Sequence, residues 1–410
     1  MEYNTYFIVV LAIVVGLYLF DLIANWLNLS SLSSDLPGEF SEVFDADEYK
    51  KSQDYTRTTT RYEFITDTFG LLVFLGFWLL GGFGWLDALV RSWGLGDVVT
   101  GVLFIFLLVI GQYVISLPFS VYDTFVIEER FGFNKMTMGT FISDQVKSLV
   151  LQAVIGGPIL ALLLWLFIKY EQAWLYAWLS MTAISLLMTY LAPTLIMPLF
   201  NKFEPLEEGE LKTEIDRLSG ACQFPLTEVS VMDGSKRSSK SNAFFTGFGK
   251  NKKIALYDTL IKNHSVQELV AVLAHEIGHF KKKHILQQIV IGIVQIGVFS
   301  FMIKLILNNQ DLMAAFGVEQ VSVHCSFVFF ALLFKPVSLL LSIAMNLLSR
   351  KNEFEADAYA AEVTKQPNDL VTALKKLSKD NLSNLTPHPF YVFMFYSHPP
   401  VIERIAALRR

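Results

Sequence analysis

Residues 272–280 read Val-Leu-Ala-His-Glu-Ile-Gly-His-Phe, and the rest of the chain is interpreted around this stretch. The pattern predicts a helix on which His275 and His279 lie one turn apart and point the same way. Two imidazoles with this spacing can hold one Zn²⁺, which keeps an open coordination position where it does chemistry. Glu276 follows the first histidine and is placed to accept a proton from a water at the metal. The alternative is a helix that carries two histidines on one face by chance.

Composition indicates an integral membrane protein. The chain has 410 residues, of which 53% are hydrophobic and 17% are charged, with a mean hydropathy of +0.44. Soluble domains carry about 25% charged residues, and here the apolar excess is concentrated in long runs. The net charge of −5 offers no basic surface, so no nucleic-acid partner is expected. Cys222 and Cys325 lie in a polar and an apolar segment, which argues against a disulfide framework.

Seven apolar runs are long enough to cross a bilayer. Their approximate limits are 6–28, 65–90, 98–121, 145–169, 172–195, 285–308 and 322–348. With the N-terminus outside, 29 of the 33 lysines and arginines fall on the inner side, which the positive-inside rule favours. The sequence thus predicts a cytosolic active site and a cytosolic C-terminus. Lys335 lies inside the seventh run, where it either faces a wet cavity beside a helix broken at Pro336 or snorkels to the surface.

The polar stretch 200–284 predicts a small α+β unit that ends in the histidine-bearing helix. Residue patterns indicate a helix and three strands over 207–223, 227–232, 242–248 and 253–257. Asn251 suits the turn between the last two strands. Ser265 and Glu268 match a capping box, which starts the helix. A small sheet followed by such a helix is typical of zinc peptidases that lay an extended substrate along the sheet edge.

A third metal ligand is predicted after the seventh run, where residues 352–357 read Asn-Glu-Phe-Glu-Ala-Asp. Glu353 lies 74 residues beyond His279, but two membrane crossings return the chain to the same face. Glu353 and Asp357 share one helix face, so Glu353 can complete a His₂Glu site while Asp357 accepts an N–H of a ligand histidine. Glu355 points elsewhere and is the weaker candidate. An ordinary charged helix start is the alternative.

These features predict a mostly α polytopic membrane protein with seven transmembrane helices and a small α+β zinc metallopeptidase domain at the cytosolic face. Four parts are expected: 1–199 with the first five helices, 200–284 with the metal-binding helix, 285–349 with the last two helices, and 350–410 with the third ligand. His284, five residues beyond His279, is expected on a different helix face, at the start of the sixth span.

Six segments together resemble the type I CAAX prenyl protease family of integral-membrane zinc metalloendopeptidases. They are Tyr49–Tyr55, Leu117–Lys135, Ser241–Gly247, His275–His279, Glu353–Asp357 and Ser397–Arg404. The zinc motif alone occurs in many peptidases, whereas the set is specific. Heat-shock-type membrane metalloproteases share the zinc motifs but have fewer spans. The resemblance implies a helical barrel around a large water-filled chamber, with the zinc site at its cytosolic end.

The resemblance also implies a substrate and a cofactor. The substrates would be C-terminal CaaX peptides whose cysteine carries an isoprenoid, and cleavage after that cysteine would release the last three residues. One Zn²⁺ per chain would be held by His275, His279 and Glu353. Glu276 would be the base and Asp357 the partner of a ligand histidine.

Further roles follow from the strand and tail segments of the resemblance. Asn242, with Ala243 and Phe244, would form the edge that aligns the substrate backbone. His398 and Arg404 would line the site. His398 is our candidate for the donor that stabilises the oxyanion, while a purely structural role for the turn over 398–400 stays open.

Two other functions remain as alternatives. The enzyme could be a quality-control protease for misfolded or stalled membrane-associated chains, with substrates that lack an isoprenoid. A transporter with structural zinc, in which Lys335 marks a pathway, is the non-enzymatic alternative, although such a protein has no need of Glu276 beside a metal ligand. The expected location is the bacterial inner membrane or the endoplasmic reticulum membrane.

Overall fold

A computed structural model of the chain describes residues 1–246 and 252–410. Within these residues, seven helical segments are long and apolar enough to span a membrane, which confirms the predicted number. The segments are Thr5–Ser30, Ala46–Leu79, Asp97–Glu128, Met138–Lys169, Ala173–Phe200, His284–Ile306 and Val323–Thr364. The fold is therefore mostly helical, as the sequence indicates.

The second membrane helix differs from the predicted run 65–90. Helix α2 begins at Ala46, where Asp45 and Glu48 form a capping box, and it ends at Leu79. Gly81 then adopts φ +78°, a left-handed conformation that glycine tolerates. Helix α3, Gly82–Arg91, follows as a separate element. The polar first loop is thus largely a helical extension of α2 beyond the membrane.

Prolines divide several of the other membrane helices. The next five helices are α4 (Asp97–Tyr122), α5 (Met138–Leu151), α6 (Gly157–Lys169), α7 (Ala173–Leu191) and α8 (Met197–Phe200). One π-helical turn, Asp123–Glu128, follows α4, a second, Gln152–Gly156, joins α5 to α6, and a third, Ala192–Ile196, joins α7 to α8. Pro158 stands in the first turn of α6, directly after the π-turn. A proline lacks the N–H that would complete the helical ladder, so the wider turn accommodates it.

The seventh membrane helix, α14 (Val323–Thr364), continues without a break for 42 residues through Pro336. The prediction of a helix broken at Pro336 is therefore wrong. Lys335 does line a cavity of about 710 Å³ together with Asp21 of α1 (Thr5–Ser30) and Asp67 of α2. This location agrees with the wet-cavity alternative, because charged side chains at membrane depth need water or polar partners.

The soluble unit contains a four-stranded sheet. Its elements are β1 Phe203–Pro205, helix α9 Glu210–Ala221, β2 Leu226–Met232, β3 Ala243–Thr246, β4 Lys252–Tyr257 and helix α10 Asp258–Asn263. The strand order is β1-β2-β4-β3, with β2 and β4 parallel and β3 antiparallel to β4. Strand β1 was not predicted. Gly247 and Phe248 of the predicted second strand, and the turn at Asn251, lie outside the described residues.

Helix α11, Val266–Lys281, is the centre of the soluble core. The predicted capping box of Ser265 and Glu268 is present at its start. Its apolar face packs with the sheet, with α9, with α14 and with helix α15, Pro367–Asp380, and Leu273 and Ala274 are fully buried in this cluster. The remaining helices are α12 His284–Ile306, α13 Gln310–Ala315, α16 Pro389–Phe395 and α17 Val401–Leu408. These contacts fix the position and the orientation of α11, and with it His275 and His279.

Candidate metal centre

The structure brings the two histidines of α11 together on one side of the helix. Their Nε2 atoms lie 3.1 Å apart. His275 is buried, with 7% of its surface exposed. Gly278 lies between the two turns at the point where α11 meets α14, and a Cβ atom there would lie only 3.1 Å from Ala356 Cα. The glycine therefore allows α14 to approach the histidines closely.

Glu353 lies opposite the two imidazoles, as its position after the seventh span predicts. Its carboxylate oxygens are 3.4 Å from His275 Nε2 and 3.2 Å from His279 Nε2. Four ligands about 2.05 Å from a tetrahedral ion lie roughly 3.3 Å from one another. The three donors, which are buried or half-buried, have nearly these separations. Two imidazole nitrogens and a carboxylate at these separations form a donor set that fits a metal ion.

Asp357 and Arg404 support the first histidine from behind. Asp357 Oδ1 lies 2.8 Å from His275 Nδ1, while Arg404 donates from Nε and Nη2 to the same carboxylate at 2.8 and 2.6 Å. Burial opposes the charge of Arg404, but its hydrogen bonds to Asp357 outweigh burial and hold its pKa above the ordinary value. Arg404 Nη1 also lies 3.3 Å from Glu353 Oε2. Arg404 therefore contacts the site from the protein side.

The electrostatics of the site favour a cation. Burial by itself lowers the pKa of His275, but hydrogen bonds to Asp357 and Glu353 outweigh it and raise that pKa to about 9. A pKa raised this far shows that the carboxylates stabilise positive charge at the imidazole. The same negative charge would favour a metal ion bound among His275, His279 and Glu353.

Glu276 and His398 face the open side of the centre. Both line a cavity of about 270 Å³ together with Glu353. Burial raises the pKa of the Glu276 carboxyl, which makes it a stronger base than an exposed glutamate. His398 lies in the loop between α16 and α17 and is exposed, with Nε2 3.4 Å from Glu353 Oε1. From this position His398 can donate a hydrogen bond to a molecule in the cavity. A purely structural role of the turn over 398–400 would not require the imidazole to face the cavity.

The strand end predicted to align a substrate borders the same cavity. Asn242 and Ala243 are among the lining residues, and β3 is the last strand in the described sheet order. Asn242 O accepts a hydrogen bond from Tyr257 N at 3.1 Å, which fixes the start of β3 on β4. Phe244 lies one residue further along, where its ring packs edge-on against Tyr257 with centroids 6.4 Å apart.

The sequence interpretation misplaced His284, whereas Glu355 points away from the three donors, as predicted. His284 does not lie on a separate helix face: its Nδ1 is 3.0 Å from His279 Nδ1. Glu355, the weaker ligand candidate, contacts His284 and is not directed at the three donors. One signal in the sequence is the polar run Lys281–Lys283, which indicates that α11 ends before the sixth span. His284 therefore does not follow the periodicity of α11.

Comparisons with known proteins agree along the whole chain. The family described as "CAAX prenyl protease N-terminal, five membrane helices" matches residues 25–202, and "Peptidase family M48" matches residues 205–410. CAAX prenyl protease 1 homolog of Arabidopsis thaliana is 35% identical, over 97% of this chain and 96% of that protein. CAAX prenyl protease 1 of Saccharomyces cerevisiae is 36% identical, over 91% of this chain and 88% of that protein.

A solved structure gives the same result for the fold. The crystal structure of S. mikatae Ste24p superposes with a TM-score of 0.94 at 33% identity and covers all of both chains. Because both halves match in order and the identity extends over nearly the full length, the chain belongs to the CAAX prenyl proteases of peptidase family M48, and it is an integral-membrane metalloprotease.

Proposed function

We propose that the chain is a zinc endopeptidase that removes the last three residues of CaaX C-termini, after a cysteine that carries an isoprenoid. The observation that carries the proposal is the convergence of His275, His279 and Glu353 within 3.1–3.4 Å of one another, beside a cavity that Glu276 also lines. The relatives are named CAAX prenyl proteases, which supports the substrate class.

The donor set supports zinc as the cofactor, with one ion per chain. Two imidazole nitrogens and one carboxylate oxygen leave a fourth position free for water or substrate. When bound there, zinc would supply a Lewis acid that polarises the scissile carbonyl and lowers the pKa of water toward about 7. Asp357 would hold the tautomer of His275 in which Nε2 is free to bind the metal.

The edge of β3 supports an extended substrate. A peptide added as a further strand would exchange main-chain hydrogen bonds with Ala243, while Asn242 and Phe244 on either side of it pair with β4 and hold the edge in place. Its scissile bond would then lie over the cavity shared with Glu276 and His398. The three-residue leaving group and the cysteine would occupy opposite ends of this strand.

Glu276 would perform the proton transfers. Its carboxylate would accept a proton from the attacking water and later deliver it to the leaving amine, a role that typically contributes 10²- to 10⁴-fold in rate. His398 Nε2 would donate a hydrogen bond to the oxyanion that forms on the scissile carbonyl. Arg404 would keep Asp357 and Glu353 in place and neutralise part of their charge.

The arrangement in the membrane is also part of the proposal. Residues 200–284 and 350–410 would together form the metallopeptidase unit on the cytosolic side, and the helices of 1–199 and 285–349 would form the membrane part. The distribution of lysine and arginine supports this orientation. The partners would be the lipid bilayer and the C-termini of proteins, in the endoplasmic reticulum membrane or a bacterial inner membrane.

The test uses paired CaaX peptides, one farnesylated on cysteine and one bare, with the detergent-purified full chain. We expect release of the terminal tripeptide from the farnesylated peptide, loss of activity with a chelator and recovery with zinc. Comparable turnover of both peptides would replace the proposal with a quality-control protease of broader specificity. Absence of cleavage in the zinc-loaded enzyme would refute the proposed substrate class.

A further inference from the structure

His284 and Glu355 form a chain of hydrogen-bonding atoms that ends on His279. The two Nδ1 atoms of His279 and His284 lie 3.0 Å apart, and His284 Nε2 lies 3.2 Å from Glu355 Oε2. His284 is only 3% exposed, so water has little access to its imidazole. We propose that His284 and Glu355 are positioning residues that fix the tautomer and the ring orientation of His279, so that its Nε2 faces the metal. This inference rests on the metal centre of the proposed function.

One arrangement of protons gives a hydrogen-bond partner to each contacting atom in the series His279, His284 and Glu355. Nε2 of His279 must present a lone pair to the metal, so the proton of this imidazole is on Nδ1. That N–H donates to Nδ1 of His284, which must then be unprotonated. The proton of His284 is consequently on Nε2, where it donates to the carboxylate of Glu355. The opposite tautomer of His279 would aim a proton at the metal and leave two bare Nδ1 atoms facing each other.

Each of the two ligand histidines thus has its own carboxylate. Asp357 contacts His275 directly at 2.8 Å, whereas Glu355 acts on His279 through His284. A carboxylate behind a metal-binding imidazole fixes its orientation and raises its basicity. Both carboxylates stand on α14, two residues apart, so the helix that supplies the third donor also orients the other two ligands.

A left-handed turn makes the contact possible. In an uninterrupted helix, a residue five positions on is rotated by about 140° from the starting residue. Here α11 ends at Lys281, Lys283 adopts φ +63° and α12 begins at His284. The turn places the His284 ring beside the His279 ring, with centroids 5.2 Å apart. The metal site is thereby connected to the first residue of the sixth membrane helix.

The test measures zinc affinity of the detergent-purified full chain by competition with a chromogenic chelator. His284→Ala should raise the Kd for zinc by about 10- to 100-fold, the usual cost of removing such a partner. Glu355→Gln should raise it less, because the amide oxygen can still accept, and it should have no further effect in the His284→Ala background. Glu362→Gln, an exposed change on the same helix, is the matched control and should leave the Kd unchanged.

Two further variants separate hydrogen bonding from packing. The side-chain oxygen of Asn can occupy nearly the position of Nδ1, so His284→Asn should recover most of the affinity, while the longer His284→Gln should not. Equal Kd values for these two variants, or wild-type affinity within twofold in His284→Ala, would overturn the proposal. Glu355 has a 40% exposed side chain, so Glu355→Gln provides the test if His284→Ala does not fold. A wild-type chain that binds no zinc would instead refute the proposed function.

Discussion

Gly278 offers a direct test of how closely the two ligand-bearing helices must approach. A Cβ atom at this position would lie 3.1 Å from both Cα and O of Ala356 and 3.2 Å from Cδ1 of Tyr359. Carbon atoms prefer separations of about 3.5–4.0 Å, so Gly278→Ala should push α11 and α14 apart by roughly 0.5 Å. Glu353 lies on α14 one turn before Ala356, and it would move with that helix. A metal site tolerates errors of only about 0.2 Å in its ligand distances.

We therefore expect Gly278→Ala to weaken zinc binding and to lower kcat/KM by about tenfold, since a misplacement of 1 Å can cost about 100-fold. Gly220→Ala in α9 is the matched control, because no described atom lies within 4 Å of a Cβ built there. Both substitutions gain about 1 kcal/mol of helix propensity, so they differ only in the contact with α14. Zinc competition and peptide cleavage are measured on both variants. Activity and affinity within twofold of wild type in Gly278→Ala would refute the reasoning.

Further substitutions test single residues of the site. Glu276→Gln should retain zinc and lose turnover by about 10²- to 10⁴-fold; full activity would refute its role as base. Glu353→Ala should lose stoichiometric zinc in elemental analysis, and retained metal would show that Glu353 is not a ligand. Arg404→Met should destabilise the fold by about 3–5 kcal/mol because the buried Asp357 loses its charged partner and keeps only the contact with His275. Thermal unfolding would detect this change, and an unchanged melting temperature would contradict it. Lys240, two residues before Asn242, pairs with Tyr55 and Glu128 and so anchors the start of β3. Lys240→Met should therefore raise KM by about tenfold with kcat nearly unchanged, and steady-state kinetics in which only kcat falls would contradict a role in substrate alignment.

Helical periodicity was sufficient to predict which groups meet at the centre. The spacing of His275 and His279, and of Glu353 and Asp357, follows from 3.6 residues per turn and depends only on local sequence. The return of α14 to the same face follows from two membrane crossings. Regular structure and the membrane thus determine most of the site, which is why contacts between residues more than 70 positions apart could be anticipated.

Departures from regular structure could not be anticipated in the same way. The contact of His284 with His279 depends on one left-handed residue, Lys283, and a lysine gives no signal for that conformation. Helix α14 is intact at Pro336 although the proline removes one N–H. Such a helix persists in a membrane where neighbouring groups or water satisfy the freed carbonyl, a tertiary condition that the local sequence does not specify. Strand β1 has only three residues, too few for an alternating pattern to be recognised.

The family segments that lie far from the metal converge on the start of β3. Lys240 Nζ lies 2.9 Å from Tyr55 Oη and 3.1 Å from Glu128 Oε2, and it stands 4.4 Å from the centre of the Phe133 ring. Tyr55 belongs to the helical extension of α2, Glu128 ends the third span, and Phe133 lies just beyond the turn that follows it. Lys240 precedes Asn242 by two residues, so the membrane helices fix the point at which an added strand would begin. The three candidate metal ligands stand on α11 and α14, while the start of β3 is anchored by α2 and the end of the third span. Under the proposed function, we therefore expect substrate alignment to depend on the membrane part as well as on the helix with His275 and His279.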